Sequence, residues 1–203
     1  TYRKGRTYLE FIALLEENPH LHVWEMDTVI GRQGGKVLLT LFSRRTKLML
    51  LFLLENKTAN EVWSTFDYLE ERCGAGIFQN TFQVILTDNG SEFMDANTLE
   101  QSTFSDKCRT KLFYCDPYSP YQKAGIEKNH EYIRWVLPKG SSFDDLTWYD
   151  VALLASHINA VARDSLDGLN PYKASDPSLL NRVDLMFIEP TEVNLTPSLL
   201  RQK

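Results

Sequence analysis

Three acidic residues of this chain have the types and positions needed for phosphate chemistry. Asp27 ends the largely apolar run 23–27, Asp88 directly follows the run 84–87, and Glu127 lies in a segment with helical spacing. Two divalent ions about 3.5–4 Å apart can stabilise both the attacking and the leaving oxygen of a phosphodiester. Mg²⁺ prefers oxygen ligands and keeps several waters, so a few carboxylates suffice to hold it. The three residues therefore predict a metal-dependent phosphoryl-transfer site.

Each of these carboxylates also has a purely structural interpretation. Asp27 could be an exposed residue on a half-buried strand, and Asp88 could form an Asx-turn, because Asp, Asn and Gly favour turns after strands. On a helix with about 100° per residue, Glu127, Glu131 and Arg134 share one stripe, which could be an ordinary solvated charged face. Glu131 is also the main competitor of Glu127 as the third ligand.

Two further carboxylates lie close to the predicted ligands in the sequence. Side chains alternate along a strand, so Glu25 lies on the same face as Asp27. Glu25 could assist the site, or it could bond to a neighbouring backbone group or basic side chain. Glu92 could support the loop after Asp88, or could replace Asp88 as a ligand if Asp88 were lost.

The remaining pattern indicates elements that would position these residues. Apolar periodicity and turn residues predict helices and strands in alternation after an initial antiparallel meander. The predicted helices are 7–17, 58–73, a segment near 95–104, 122–137, 147–163 and a short one near 178–187. The predicted strands are 21–30, 36–43, 47–54, 82–87 and 111–115. Asp88 then lies at the carboxyl end of a central strand, where active groups of α/β sheets are commonly found.

Three motifs resemble the catalytic core of a DDE transposase. They are WEMD at 24–27, TDNGSEF at 87–93, and DPYSPYQKAGIEKNHEYIRWVLPKG at 116–140. The chain is most similar to the insertion-sequence-thirty group of bacterial transposases, and its core resembles retroviral integrases. The resemblance implies an α/β, ribonuclease-H-like fold whose mixed five-stranded sheet, three antiparallel strands and then two further strands, is flanked by helices. We expect a connecting helix and linker at 1–19, an integrase-type core at 20–175 and a C-terminal extension at 176–203.

The resemblance also implies an activity. Asp27, Asp88 and Glu127 would be the catalytic residues and would bind two Mg²⁺ ions, with Mn²⁺ as a substitute. The enzyme would be a DDE-type polynucleotidyl transferase that cleaves transposon ends and transfers the 3′-hydroxyl to target DNA. Its partners would be the transposon ends, the target DNA and further copies of the chain. The alternatives are a non-catalytic DNA-binding or assembly remnant, and a nuclease of the same fold without strand transfer.

The loop and helix around Glu127 supply candidate DNA contacts. The proline-stiffened loop before the helix could pack aromatic rings against DNA, or could act only as a rigid turn. Arg134 could contact a phosphate or pair with Glu131, and Glu131 stands where retroviral integrases carry a basic residue. His130 could contact substrate or face solvent. The candidates are Tyr118, Tyr121, Gln122, Lys123, His130 and Arg134.

Composition limits the compartment and the partners. The chain of 203 residues has a net charge of −5, although non-specific DNA affinity depends on Lys and Arg. Arg44, Arg45 and Lys47 could touch phosphates or form a solvated hairpin turn. Three cysteines without CxxC spacing indicate reduced thiols, and no run is long and apolar enough for a membrane span. We expect a cytoplasmic bacterial protein, associated with the nucleoid when acting and not with a membrane.

The first residue is Thr1, so we expect the chain to be part of a longer protein. Full-length members of the resembled group carry an N-terminal helix-turn-helix region that recognises DNA ends, and no such pattern stands in this sequence. We therefore expect this segment alone to bind DNA weakly.

Overall fold

A computed structural model describes residues 2–183 and 189–200 of the chain. Its centre is a five-stranded mixed sheet with the strand order β3-β2-β1-β4-β5. β1, β2 and β3 are antiparallel, whereas β4 is parallel to β1 and β5 is parallel to β4. The predicted meander followed by two further strands is confirmed. The strands are β1 (Val23–Ile30), β2 (Val37–Ser43), β3 (Met49–Leu54), β4 (Val84–Thr87) and β5 (Lys111–Tyr114).

The helices flank the sheet and include every segment predicted from periodicity, several of them shorter than expected. The segment near 95–104 is helical over five residues only, and the helix expected at 178–187 is observed as a single turn, with 184–188 outside the described residues. The helices are α1 (Tyr8–Glu17), α2 (Ala59–Cys73), α3 (Ala75–Thr81), α4 (Ala96–Glu100), α5 (Ala124–Val136), α6 (Trp148–Asn159), α7 (Pro171–Ala174) and α8 (Pro177–Leu180).

The short helix α3 was not predicted. Gly74 ends α2, with a positive φ of 77° that L-residues rarely adopt. Gly74 is also the residue directly before α3, so it lies at the end of one helix and at the beginning of the next. Phe78 of α3 is fully buried and contacts Phe66 and Phe82, which supplies the packing energy that a seven-residue helix lacks by itself.

The helix predicted at 147–163 ends at Asn159. The Asn159 side chain is fully buried, accepts from the Met49 backbone N–H at 2.8 Å and donates to the Met49 carbonyl at 2.8 Å. It therefore pairs with the edge strand β3 as a neighbouring strand would, and it satisfies both backbone groups of Met49 in the core. This contact ties the end of α6 to the sheet.

Alternation along β1 directs its side chains to the two faces of the sheet. Trp24 and Met26 belong to the core that packs under α2 and α3. Val29 belongs to the other core, under α5 and α6, so Glu25 and Asp27 point to that second face. The position of Asp27 in the strand thus directs its carboxylate towards the helix that carries Glu127.

Helix α1 packs on the β4–β5 side of the sheet. It begins with a capping box between Thr7 and Glu10, and it buries Phe11 completely against Phe113.

Among the described helices, none is long and apolar enough to cross a membrane.

Candidate active site

Asp27 and Asp88 lie side by side because their strands are parallel neighbours. Glu25 of β1 pairs with Leu86 of β4, so the two strands reach the aspartates in the same register. The hydroxyl of Thr87 donates to the Met26 carbonyl at 3.0 Å and fixes this register where β4 ends. The middle of β1 and the carboxyl end of β4 therefore each place one carboxylate at the same point of the sheet.

The two aspartates share one cation, the ammonium group of Lys123. Its Nζ lies 2.7 Å from Asp27 Oδ2 and 3.1 Å from Asp88 Oδ2. The other oxygen of Asp27 accepts from the Thr28 backbone N–H at 2.7 Å. The other oxygen of Asp88 accepts from the Gly90 N–H at 2.9 Å, so Asp88 also forms the Asx-turn considered from the sequence. The turn and the site role are compatible, because each uses a different oxygen.

Lys123 is buried, with 5% of its side chain exposed. Burial by itself would lower its pKa, but the charges of Asp27 and Asp88 outweigh this effect and raise the pKa above the ordinary value. The structure places the Lys123 charge between the two carboxylates, and its role as a DNA contact stays a prediction. The ammonium thus contacts one carboxylate oxygen of each aspartate.

Glu127 faces the same cleft from the first turn of α5. The cleft has a volume of about 550 Å³ and is lined by Asp27, Asp88, Lys123 and Glu127, among others. Partial burial raises the pKa of Glu127, and the neighbouring carboxylates raise it further, whereas Lys123 opposes them. In the part of the chain that the structure describes, no three His, Cys, Asp or Glu side chains lie close enough to hold a metal ion as they stand. The trio shares one cleft, in which Lys123 pairs with Asp27 and Asp88.

Glu25 fixes the start of α5 against the sheet. It is 2% exposed, accepts from the Ile126 backbone N–H at 2.6 Å and pairs with Arg44 Nε at 2.7 Å. The prediction that Glu25 bonds to a backbone and a basic group is confirmed. At Gly125, an added Cβ would lie 2.6 Å from Phe42 Cε1, so only glycine allows this close approach. These contacts determine where Glu127, two residues further on, enters the cleft.

Glu92 supports the loop after Asp88, as one of its two interpretations predicted. It is buried, and its Oε1 accepts from the Thr28 hydroxyl at 2.8 Å and pairs with Lys57 Nζ at 3.3 Å. Because Thr28 follows Asp27, these bonds connect the backbones that carry both aspartates.

The remaining candidate DNA contacts divide into exposed and engaged side chains. Tyr118 and Tyr121 are exposed, and Tyr118 has a φ of 58°, an unusual conformation for a non-glycine residue. The buried Gln122 accepts from the Asp116 N–H at 2.7 Å and donates to the Asp116 carboxylate at 3.0 Å. Its amide therefore holds the loop in shape, which agrees with the rigid-turn interpretation.

On α5, Arg134 and His130 both contact the sheet. Arg134 donates to the Ile30 carbonyl at 2.9 Å and forms no ion pair with Glu131 among the described residues. His130 Nε2 lies 2.8 Å from the Thr40 hydroxyl, and the ring is half-buried instead of facing solvent. The roles of both residues in DNA contact stay predictions.

His130 is expected to remain neutral far below the usual pH for imidazole. Burial lowers its pKa to about 4, against a partial opposing effect of Asp27. The unfolded chain binds this proton near pH 6.5, so between about pH 6.5 and pH 4 acid favours unfolding. We expect this group to cost about 1–3 kcal/mol of stability across that window. An NMR titration of the ring checks this, and a midpoint near 6.5 would contradict it. The variant His130→Asn should lose this part of the pH dependence.

The sequence did not reveal the roles of Lys123 and Arg44. Lys123 lies on the 3₁₀ turn Pro120–Lys123 before α5. The helical pattern of the sequence does not indicate that its ammonium group is buried. The position of Lys123 in the loop before Glu127 was the feature of the sequence that indicated a place near the site. Burial of Lys123 depends on strands far away in the sequence, and only the assembled sheet brings them together.

Comparison with known proteins identifies several relatives. The transposase for insertion sequence element IS4351 of Bacteroides fragilis is 26% identical over 147 residues, which cover 72% of this chain and 42% of that protein. The putative integrase ORF3 of Spiroplasma virus SpV1-R8A2 B is 30% identical over 147 residues, covering 72% and 43%. Transposase InsI for insertion sequence element IS30C of Escherichia coli strain K12 is 27% identical over 151 residues, covering 73% and 36%. The chain thus spans less than half the length of each of these relatives.

No family model matches the chain. Among solved structures, a chain of the simian T-cell lymphotropic virus intasome in complex with PP2A regulatory subunit B56 gamma has a TM-score of 0.57 and 16% identity. The match covers 77% of this chain and 55% of that one. At this identity the likeness concerns the fold, and it confirms the ribonuclease-H-like α/β architecture. The chain is therefore a homologue of insertion-sequence transposases, including members of the insertion-sequence-thirty group, with a core folded like that of a retroviral integrase.

Proposed function

We propose that this chain is the catalytic core of a DDE-type polynucleotidyl transferase. It would cleave phosphodiester bonds at transposon ends and join the resulting 3′-hydroxyl to target DNA. One observation carries the proposal: Asp27, within β1, and Asp88, directly after the parallel strand β4, converge on a single cation in the cleft that Glu127 also lines. The homology to transposases supports the same class of reaction.

The donor set suits Mg²⁺, with Mn²⁺ as a substitute. All three side chains offer carboxylate oxygens, and the aspartates already bind a cation between them. Asp27, Asp88 and Glu127 would hold two ions after the Lys123 ammonium moves aside. When bound, such ions lower the pKa of the attacking water or hydroxyl and offset the charge on the leaving oxygen.

The remaining residues of the cleft would hold the carboxylates and the DNA strand in place. Glu25 and Gly125 fix the first turn of α5 and thereby orient Glu127. The exposed rings of Tyr118 and Tyr121 could stack on bases, a contact that tolerates any sequence. Arg134 would contact a phosphate near the scissile bond if it released the Ile30 carbonyl.

The partners follow from the same proposal. They are transposon ends, target DNA and further copies of the chain assembled on DNA, in the bacterial cytoplasm and at the nucleoid. The net charge of −5 limits general affinity for DNA, so bound divalent ions would be needed to reduce repulsion in the cleft. The division into a linker at 1–19, a core at 20–175 and an extension at 176–203 stays a prediction.

Removing the Lys123 charge is expected to strengthen metal binding. In Lys123→Met the two aspartates lose a competing ammonium that is hydrogen-bonded to both, an interaction of about 1.5–3 kcal/mol for each bond to a charged group. The affinity for Mn²⁺ should rise about tenfold or more. The metal-free variant should also be less stable, because neighbouring carboxylates repel. Calorimetric Mn²⁺ titration measures both proteins, with Lys139→Met as the control on an exposed lysine. Unchanged or weaker Mn²⁺ binding by Lys123→Met would contradict the proposed ion position.

A joining assay tests the proposed function and separates it from its alternatives. The protein is incubated with Mn²⁺, a supercoiled plasmid, and a labelled duplex from the DNA flanking its gene that carries a free 3′-hydroxyl. Transfer of label to the plasmid supports strand transfer. Nicking without transfer would indicate a nuclease of the same fold, and the absence of both products would indicate a non-catalytic remnant.

A further inference from the structure

A second pocket lies on the side of α5 opposite the catalytic cleft. It has a volume of about 580 Å³ and lies between the β2–β3 turn, α5 and the segment after α6. At about 100° per residue, Asn129 and Tyr132 of its lining lie roughly 140–160° around the helix from Glu127. The pocket therefore shares the helix with the catalytic cleft but not its face.

The pocket concentrates positive charge on an acidic chain. Arg44, Lys47, Lys128 and Arg163 all line it. Two carboxylates, Glu25 and Asp164, also line the pocket, which leaves an excess of two positive charges. Glu25 pairs with Arg44, whereas no described carboxylate forms an ion pair with Lys47, Lys128 or Arg163. With a net charge of −5 on the whole chain, four cations against two carboxylates in one pocket form a local field of opposite sign.

Two of these cations are withdrawn from water without a carboxylate partner. Arg163 is 9% exposed, donates to the Ile158 carbonyl at 3.1 Å and lies over the Tyr132 ring at 4.5 Å, a favourable contact, but its Nε–H has no acceptor. Burial lowers the pKa of Lys47, and the charge of Arg44 lowers it further, although Glu25 acts in the opposite direction. An anion in the pocket would relieve both costs, because it would pair with the buried cations and offer an acceptor.

We propose that this pocket binds a phosphate of the DNA backbone as a second contact site outside the catalytic cleft. The inference rests on the proposed function, since it takes DNA as the partner. Lys128 stands exposed at the rim, Lys47 and Arg163 form the interior, and Tyr132 and Phe42 supply apolar walls. Long, flexible lysine side chains around a fixed guanidinium suit a phosphodiester, which needs charge and no base-specific geometry.

The pocket is also linked to the cleft through Glu25. This residue lines the pocket, pairs with Arg44 there, and accepts from the Ile126 N–H next to Glu127. A strand bound in the pocket would therefore lie against the contacts that hold the catalytic turn of α5.

The salt dependence of DNA binding tests this inference without any catalysis. Fluorescence anisotropy with a labelled duplex in EDTA, at several low salt concentrations, gives the slope of log affinity against log salt. For Lys47→Gln/Lys128→Gln, which removes both lysines around the bound phosphate, the slope should fall in magnitude by about 1, since one phosphate contact is worth about 0.9. Lys128→Gln alone, a substitution on an exposed position, should lower it by a smaller amount. The control Lys107→Gln, on the exposed loop after α4, should leave the slope unchanged.

The outcomes separate this inference from the proposed function. Asp27→Asn should keep the wild-type slope, whatever happens to cleavage. A slope that is unchanged in both pocket variants, in a protein that still cleaves DNA, would overturn the second site alone. Calorimetry with inorganic phosphate is the second measurement. If the protein bound phosphate saturably and the pocket variants lost this binding without any change in the salt slope for DNA, the pocket would bind a free anion. That result would also overturn the DNA contact.

Discussion

Asp27→Asn is expected to lower metal-dependent DNA cleavage and strand transfer about 10³-fold or more. Asp27 contributes one oxygen to the shared cation position and is fixed by the Thr28 N–H through the other. An amide keeps the shape and the size but removes the charge that holds a divalent ion. Metal ions supply several kcal/mol of charge stabilisation in such transition states. A loss of about 4 kcal/mol corresponds to about 10³-fold in rate.

Plasmid nicking and joining rates in Mn²⁺ measure this effect, with Asp88→Asn expected to behave alike. Asp106→Asn is the matched control, because Asp106 is exposed on a loop away from the cleft. Thermal unfolding of each variant shows whether the fold is kept. If folded Asp27→Asn retained more than about a tenth of the wild-type rate, Asp27 would not be a metal ligand.

Glu25→Ala is expected to lower the free energy of unfolding by about 3 kcal/mol. The substitution leaves the Ile126 N–H without its acceptor and Arg44 without its counter-ion, beside a void in the core. Breaking a buried pair by removing one partner costs about 3–5 kcal/mol, and we take the lower end because Arg44 is about a third exposed. Cleavage should fall as well, since the first turn of α5 loses its attachment to β1.

Urea unfolding of Glu25→Ala, with the midpoint and slope fitted together, gives this difference. Glu16→Ala, on the exposed face of α1, is the control and should change stability by less than about 0.5 kcal/mol. A loss below about 1 kcal/mol for Glu25→Ala would mean that α5 is held to the sheet mainly by apolar contacts such as those of Ile126 and Ile133.

The parts of the fold with strong local signals were predictable from the sequence. Strand and helix periodicity predicted β1 to β5. Thr58 caps α2 by accepting from the Glu61 N–H. In contrast, the Glu61 carboxylate did not complete a capping box and instead accepts from the Glu55 and Asn56 N–H groups. Side-chain choices between nearby backbone donors depend on loop geometry, which periodicity does not describe.

The sequence was sufficient to predict which carboxylates form the candidate site, but not where its basic side chains lie. Asp27 and Asp88 end apolar runs, and this local pattern is visible in the sequence. Lys123, Arg44 and Arg163 instead depend on partners far away along the chain. A basic residue in a loop looks the same in sequence whether it is solvated, paired with two aspartates or placed over an aromatic ring.

The central claim is that the cleft binds catalytic divalent ions in place of the Lys123 ammonium. A crystal structure of the protein soaked in Mn²⁺, with anomalous data, tests it most directly. The account predicts an anomalous peak bridging Asp27 and Asp88, Glu127 within reach of the ions, and Lys123 Nζ displaced from both aspartates. No peak at saturating Mn²⁺, with Lys123 still bonded to Asp27 and Asp88, would contradict it.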